Sequence, residues 1–179
     1  MTSGAKKVSI VLGAALALFI AIVLGAAVFL GVFQTVAVEA KTAGPYRIAY
    51  LPHTGPYHET RLTIERVAEE LKRRDIRFGD AVGIYFDDPA QVPAGQLRSR
   101  GGVLVPDEAM LPESVREEIV PPRLVAAAQF HGSPMIGALK VYPKMAQWMS
   151  ANRYVVAGPA LEVYRGDGVV EYQFPIAPK

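Results

Sequence analysis

None of the 179 residues is cysteine, which excludes disulfides and every thiolate site, catalytic or metal-binding. Histidine is almost as scarce. His53, His58 and His131 do not reach the spacing of a metal site, and His53 and His58, five apart, would not share a helix face. No glycine-rich phosphate loop occurs, and His131-Gly-Ser-Pro134 is not a nucleophile elbow. No metal or cofactor is therefore expected. A surplus of one charge is missing too. Of 19 basic residues, Lys6 and Lys7 precede residue 33; the other 17 face 17 acids. A neutral domain has no excess of cations to meet phosphates, so nucleic acid is not an expected partner.

What is abundant is apolar sequence, and it is concentrated at the N-terminus. Val8 to Phe33 is a run of 26 residues without a charge. As a helix it would span roughly 39 Å, enough to cross a bilayer with some tilt. A cleaved signal peptide is the competing reading, with Lys6 and Lys7 as its basic start and Val38-Glu39-Ala40 as a cleavage site. The apolar part of such a peptide is usually about 7–15 residues, so the length favours an uncleaved transmembrane anchor. The expected order is a short basic N-terminus (1–7), an anchor in the bilayer (8–33), a linker (34–44) and one domain (45–179). The lysines ahead of the anchor place the domain on the extracytoplasmic side.

Within the domain, residues 45–51 read as a strand ended by Pro52, and Glu59 to Asp75 as an amphipathic helix with Ile64, Val67, Ala68 and Leu71 on one stripe. Strands are expected at 82–86 and 102–105. Pro106 to Pro122 carries Asp107, Glu108, Glu113, Glu117 and Glu118 and reads as a polar connector. A strand at 123–130 is followed by a helix over 135–152, in which Leu139, Tyr142, Met145, Ala146 and Met149 keep helical spacing around a misfitting Pro143. Two strands, 155–165 and 169–176, close the chain around the turn Gly166-Asp-Gly168. His53 and Pro56 recur 78 positions on as His131 and Pro134, and Ala68 recurs as Ala146. The chain thus reads as one unit used twice, at about 45–106 and 122–177. The predicted fold class is α+β: duplicated strand-helix-strand-strand units forming a mostly antiparallel sheet with helices packed on it, behind one transmembrane helix.

The stretch Pro159-Ala-Leu-Glu-Val-Tyr-Arg-Gly-Asp167 puts one carboxylate inside an otherwise apolar strand. Alternation places Ala160, Glu162 and Tyr164 on one face and Leu161, Val163 and Arg165 on the other. If the first face looks inward, Glu162 is a buried acid beside a phenol. It must then be paired, hydrogen-bonded or protonated. A cationic ligand could supply the pair; an arginine of the fold, or solvent, is the plainer outcome. The alignment of the halves sets Gly83 opposite Glu162.

His53-Thr-Gly-Pro-Tyr57, Gly83-Ile-Tyr-Phe-Asp-Asp-Pro89, Phe130-His-Gly-Ser-Pro134, Trp148-Met149 and Leu161-Glu-Val-Tyr164 occur in an order that resembles the GyrI-like small-molecule-binding family, of the BmrR and Rob effector-domain type. The likeness runs from about Tyr46 to Ile176. It implies a pocket between two halves, with Glu162 as the carboxylate that meets lipophilic cations and Tyr57, Tyr85, Trp148 and Tyr164 as its walls. It implies, as an alternative, a hydrolase of small electrophilic compounds with Glu162 as general base and His131 as the nearest candidate acid. The apolar run fills the place ahead of the domain, so transcription control through a helix-turn-helix is not expected. A third reading is a membrane-anchored adaptor that meets a partner through the acidic stretch Asp107–Glu118.

Overall fold

A computed structural model describes residues 3–179; Met1, Thr2 and the Lys6 side chain, parts of the basic N-terminus, lie outside the described residues. Helix α1 (Ser3–Phe29) takes up most of the apolar run. Its segment Ile10–Phe29 has a mean hydropathy of 2.8 and no buried residue, compatible with a membrane anchor or a signal sequence. The helix stops before Phe33 because Gly31 adopts a left-handed conformation, φ 78°. The Val32 N–H then bonds the Ala27 carbonyl at 2.9 Å and the Gly31 N–H that of Val28 at 3.0 Å, the paired closure that glycine permits at a helix end.

Nine strands follow. β1 (Glu39–Ala43), β2 (Tyr46–Thr54), β3 (Ala81–Tyr85), β4 (Arg98–Leu104), β5 (Arg116–Val120), β6 (Arg123–His131), β8 (Ala160–Tyr164) and β9 (Val169–Pro178) form a sheet ordered β1-β6-β9-β8-β3-β4-β2-β5, every pair antiparallel. The short β7 (Tyr154–Val156) pairs with the end of β9. Helix α2 (Thr60–Arg73) follows β2 and helix α3 (Pro134–Ala151) follows β6. The units β2-α2-β3-β4 and β6-α3-β8-β9 therefore run in the same order, and β3 against β8 joins them.

Several elements differ from expectation. The stretch 34–44 is not a free tether: β1 lies in it, paired along β6, with Lys41 Nζ 2.7 Å from the buried Glu171. β2 runs through Pro52 to Thr54, because β5 flanks only Tyr46–Tyr50 and the proline sits on an open edge, where a missing N–H is tolerated. The acidic connector contains β5, whose Glu117 and Glu118 meet Arg47 (2.7 Å) and Arg100 (2.5 Å). The strand expected over 155–165 is split at residues 157–159 into β7 and β8, which lie end to end along β9.

Two layers of core result. Ala49 and Val103 pack under Val67 and Leu71 of α2, and Phe130, Val170 and Tyr172 under Val141, Met145 and Met149 of α3. The opposite face, with Ile48, Tyr50, Val82, Ile84, Leu161 and Val163, is buried within the curl of the sheet.

The tightest point of that curl is β4 against β2. A Cβ added at Gly102 would lie 2.0 Å from the Ala49 carbonyl oxygen, a backbone atom that cannot move aside alone. Gly102→Ala is expected to destabilise the fold by at least about 1–3 kcal/mol, read as a lower urea midpoint; an unchanged midpoint would show that the strands can part at no cost.

Candidate functional site

The alternation of β8 turns Leu161 and Val163 into the curl and Glu162 toward the helices. Glu162 is 6% exposed. The Tyr164 hydroxyl donates to its Oε2 at 2.6 Å and the Tyr142 hydroxyl, from α3, to its Oε1 at 2.7 Å. Tyr85 Oη, from β3, lies 2.7 Å from Tyr164 Oη. Since Tyr164 has given its one proton to the carboxylate, Tyr85 is the donor in that bond. A chain of phenols from both halves thus ends on one acid. Tyr172 is the register partner of Glu162 across β8 and β9, and the Tyr142 ring stands edge-on to Tyr172 (6.0 Å) and to Phe174 (5.0 Å).

Burial holds the Glu162 carboxyl above its ordinary range, and the hydrogen bonds from Tyr164 and Tyr142 only partly offset it. The same burial, together with the charge on Glu162, raises Tyr85, Tyr142, Tyr164 and Tyr172 well beyond the usual phenol value, so all four are neutral donors. Among the described residues no lysine, arginine or histidine forms an ion pair with Glu162.

A second buried acid shows what pairing would look like. Glu171, 2% exposed, lies on the other face of β9 and is met by Lys41, by the Arg165 guanidinium and by Gln173 Nε2 at 2.9 Å. Burial alone would raise it, but the Lys41 and Gln173 bonds and the nearby positive charges hold it below the ordinary value.

The residues singled out from sequence do not all converge. Glu162, Tyr164 and Tyr85 are joined by hydrogen bonds. Tyr57 packs edge-on against Tyr85 at 4.8 Å, while its own hydroxyl donates to the Asp87 carbonyl at 2.7 Å. Trp148 stacks on Tyr154 at 5.8 Å, near the end of α3, and has no hydrogen bond or ring contact with the carboxylate cluster among the described residues. His131 lies elsewhere, lining a hollow of about 550 Å³ with Phe29, Leu30, Phe33 and Asp167. Tyr142 was legible only as a core position of its helix, and Tyr172 and Glu171 as strand residues. Tyr142 lies one turn before Met145 on the stripe that faces the sheet, which is the signal that could have placed it; Leu139 and Ala146, expected on the same stripe, are exposed, because the buried stripe runs through Gly137, Val141, Met145 and Met149.

A family model described as the GyrI-like small molecule binding domain matches residues 37–177. The chain belongs to that family. The match takes in β1, ahead of the Tyr46 start that the motifs suggest. This GyrI-like domain is 27% identical over 157 residues to a DNA gyrase inhibitor of Escherichia fergusonii, covering 79% of this chain and 98% of that protein. Its fold is similar to the crystal structure of the EcmrR C-terminal domain, with TM-score 0.68, 14% identity, and coverage of 82% of this chain and 100% of that one. It is similar also to SAV2435 bound to tetraphenylphosphonium, with TM-score 0.51, 11% identity, and coverage of 79% and 94%.

The two buried acids predict opposite dependences on pH. Glu162 is raised in the folded state, so its cost appears as pH climbs above the usual value of about 4.5. Glu171 is lowered, so its contribution is present above that value and is lost as pH falls through the folded one. At pH 7, Glu162→Gln should raise Tm by several degrees, since about 1 kcal/mol is worth ~2–4 °C in a domain of this size; Glu171→Gln should lower it. Thermal scans across pH 4–8 check both, and a Tm for Glu162→Gln below the parent's at pH 7 would contradict a raised carboxyl.

Proposed function

We propose that the chain is a membrane-tethered binding protein whose ligand, a lipophilic cation or aromatic small molecule, is held at Glu162. The observation that carries this reading is a carboxylate buried between two halves with phenols as its only partners among the described residues. Phenols can satisfy its lone pairs but cannot neutralise its charge, and the nearby Glu171 has cations of its own where Glu162 has none. A ligand cation would supply that missing charge, with the faces of Tyr85, Tyr142 and Tyr164 around it. Tyr57 would back this wall through Tyr85, and Trp148, stacked on Tyr154, would form its rim.

Helix α1 would hold the domain at the bilayer, on the extracytoplasmic side. The cations that follow the span, Lys41 and Arg47, are both tied up in ion pairs, whereas Lys7 ahead of it is exposed. SAV2435, a fold neighbour, is bound to tetraphenylphosphonium, which makes that cation a suitable probe.

Calorimetry on the full chain in detergent should show binding of tetraphenylphosphonium that strengthens as pH rises and ionises Glu162. Glu162→Gln should weaken it ~10-fold or more, equivalent to about 1.4 kcal/mol, without loss of Tm. Equal affinity in both proteins would remove the reading. Turnover of an electrophilic substrate that disappears in Glu162→Gln would replace it with hydrolysis.

A further inference from the structure

The two helices on the sheet carry unlike surfaces. α2 displays Glu65, Glu69 and Glu70 among Arg61, Arg66, Lys72 and Arg73. α3 contains Lys140 and Lys144 and no acid. Its outer side also presents Met135 and Leu139, which are 73% and 70% exposed. Large apolar side chains left in the open one turn apart, on a helix whose only charged residues are cations, fit a helix that lies in a membrane interface.

The start of α3 is also where the apolar helix is fixed to the domain. The Ser133 N–H bonds the Leu30 carbonyl at 3.3 Å, the His131 N–H bonds Gln34 Oε1 at 2.9 Å, and Lys140 Nζ donates to the carbonyls of Val32 (2.6 Å) and Gln34 (2.5 Å). The backbones touch there. A Cβ at Gly132 would lie 2.6 Å from the Leu30 carbonyl oxygen, and one at Gly31 2.5 Å from that of His131. The end of α1 and the first turns of α3 therefore form one corner. Leu139 is about 7.5 Å of helix rise from Pro134, comparable with the roughly 5–7.5 Å depth of one headgroup layer, so a tilted α3 keeps Met135 and Leu139 within that layer of the corner.

We propose that α3 rests on the bilayer that holds α1, with Met135 and Leu139 at the headgroup–acyl boundary and Lys144 directed to lipid phosphates. The proposal rests on α1 being an anchor and deepens the reading of the site. Tyr142, which closes over Glu162, is three residues beyond Leu139 on the same helix, so the site lies beneath the helix that would rest on the bilayer.

The absence of cysteine allows single labels to be placed in the full chain. Met135→Cys, Leu139→Cys, Arg66→Cys on α2 and Leu16→Cys on α1 would carry an environment-sensitive fluorophore in phosphatidylcholine–phosphatidylglycerol vesicles containing nitroxide-labelled lipid, with circular dichroism to verify folding. Labels at 135, 139 and 16 should be quenched at least twofold more than the label at 66. Quenching at 16 but not at 135 and 139 would overturn the docking of α3 and leave the anchor standing; no quenching at 16 would overturn both. Tetraphenylphosphonium binding in detergent, compared between parent and Glu162→Gln, reports on the site independently of either result.

Discussion

Everything at the site depends on one antiparallel pairing, β3 against β8. Each half covers its own strands with one helix, and the carboxylate lies where the two halves meet. The pairing sets Gly83 directly against Glu162 and brings Tyr85 and Tyr164 from opposite ends of the two strands to within a hydrogen bond of each other. Because side chains alternate along a strand, a shift of one residue would send Glu162 into the curl of the sheet, beside Val82 and Ile84, and turn Leu161 and Val163 out toward the helices. Register therefore fixes the environment of the carboxylate, and with it the value at which it ionises.

Within that register, Glu162 and Glu171 are close in the fold but opposite in consequence. Glu171 faces away from the helices and is reached by Lys41 and Arg165; its charge is shared, and it staples β1 to the sheet. Glu162 faces the helices and is reached only by neutral donors, each of which the site itself keeps from ionising. The first arrangement favours the folded chain at neutral pH and the second opposes it. A carboxylate held at a cost to stability, where glutamine would fit the same space, is the kind of group that function accounts for better than folding does.

The sequence is informative where periodicity is informative. Glu162 and Tyr164 stand on one face of an alternating strand, and the helical spacing gives both helices and the buried positions Val67, Leu71, Met145 and Met149, although not the exposure of Leu139 and Ala146. The edges of the sheet were not legible. β1 and β5 are short and polar, and they are held by ion pairs to distant strands, Lys41 to Glu171, Arg47 to Glu117 and Arg100 to Glu118, none of which a local pattern reveals. Trp148 was drawn toward the site by the motif Trp148-Met149; its ring stacks on Tyr154, at a part of α3 nearly two turns beyond Tyr142. The tyrosine that does cap the carboxylate was present in the pattern as a core residue, since helical spacing tells which side of a helix is buried but not what it is buried against.

The difference between the halves explains why there is one site and not two. Where β8 has Glu162 beside Tyr172, β3 has Gly83 beside Gly101. Where α3 sends down Tyr142, the position 78 residues earlier in α2 is Ile64, whose side chain occupies the space above Gly101. At this register pair the first half is stripped to backbone, and the room at Gly83 is taken by Tyr85: a Cβ there would lie 2.6 Å from the Tyr85 hydroxyl. The ring can fold back over its own strand only because that position has no side chain, and this places its hydroxyl on Tyr164. One half supplies the acid and its hydroxyl cap, and the other supplies the vacancy that lets a further phenol reach them. A symmetric pair of carboxylates across β3 and β8 would set two like charges in register neighbours, each raising the other, where a single one faces only phenols and backbone.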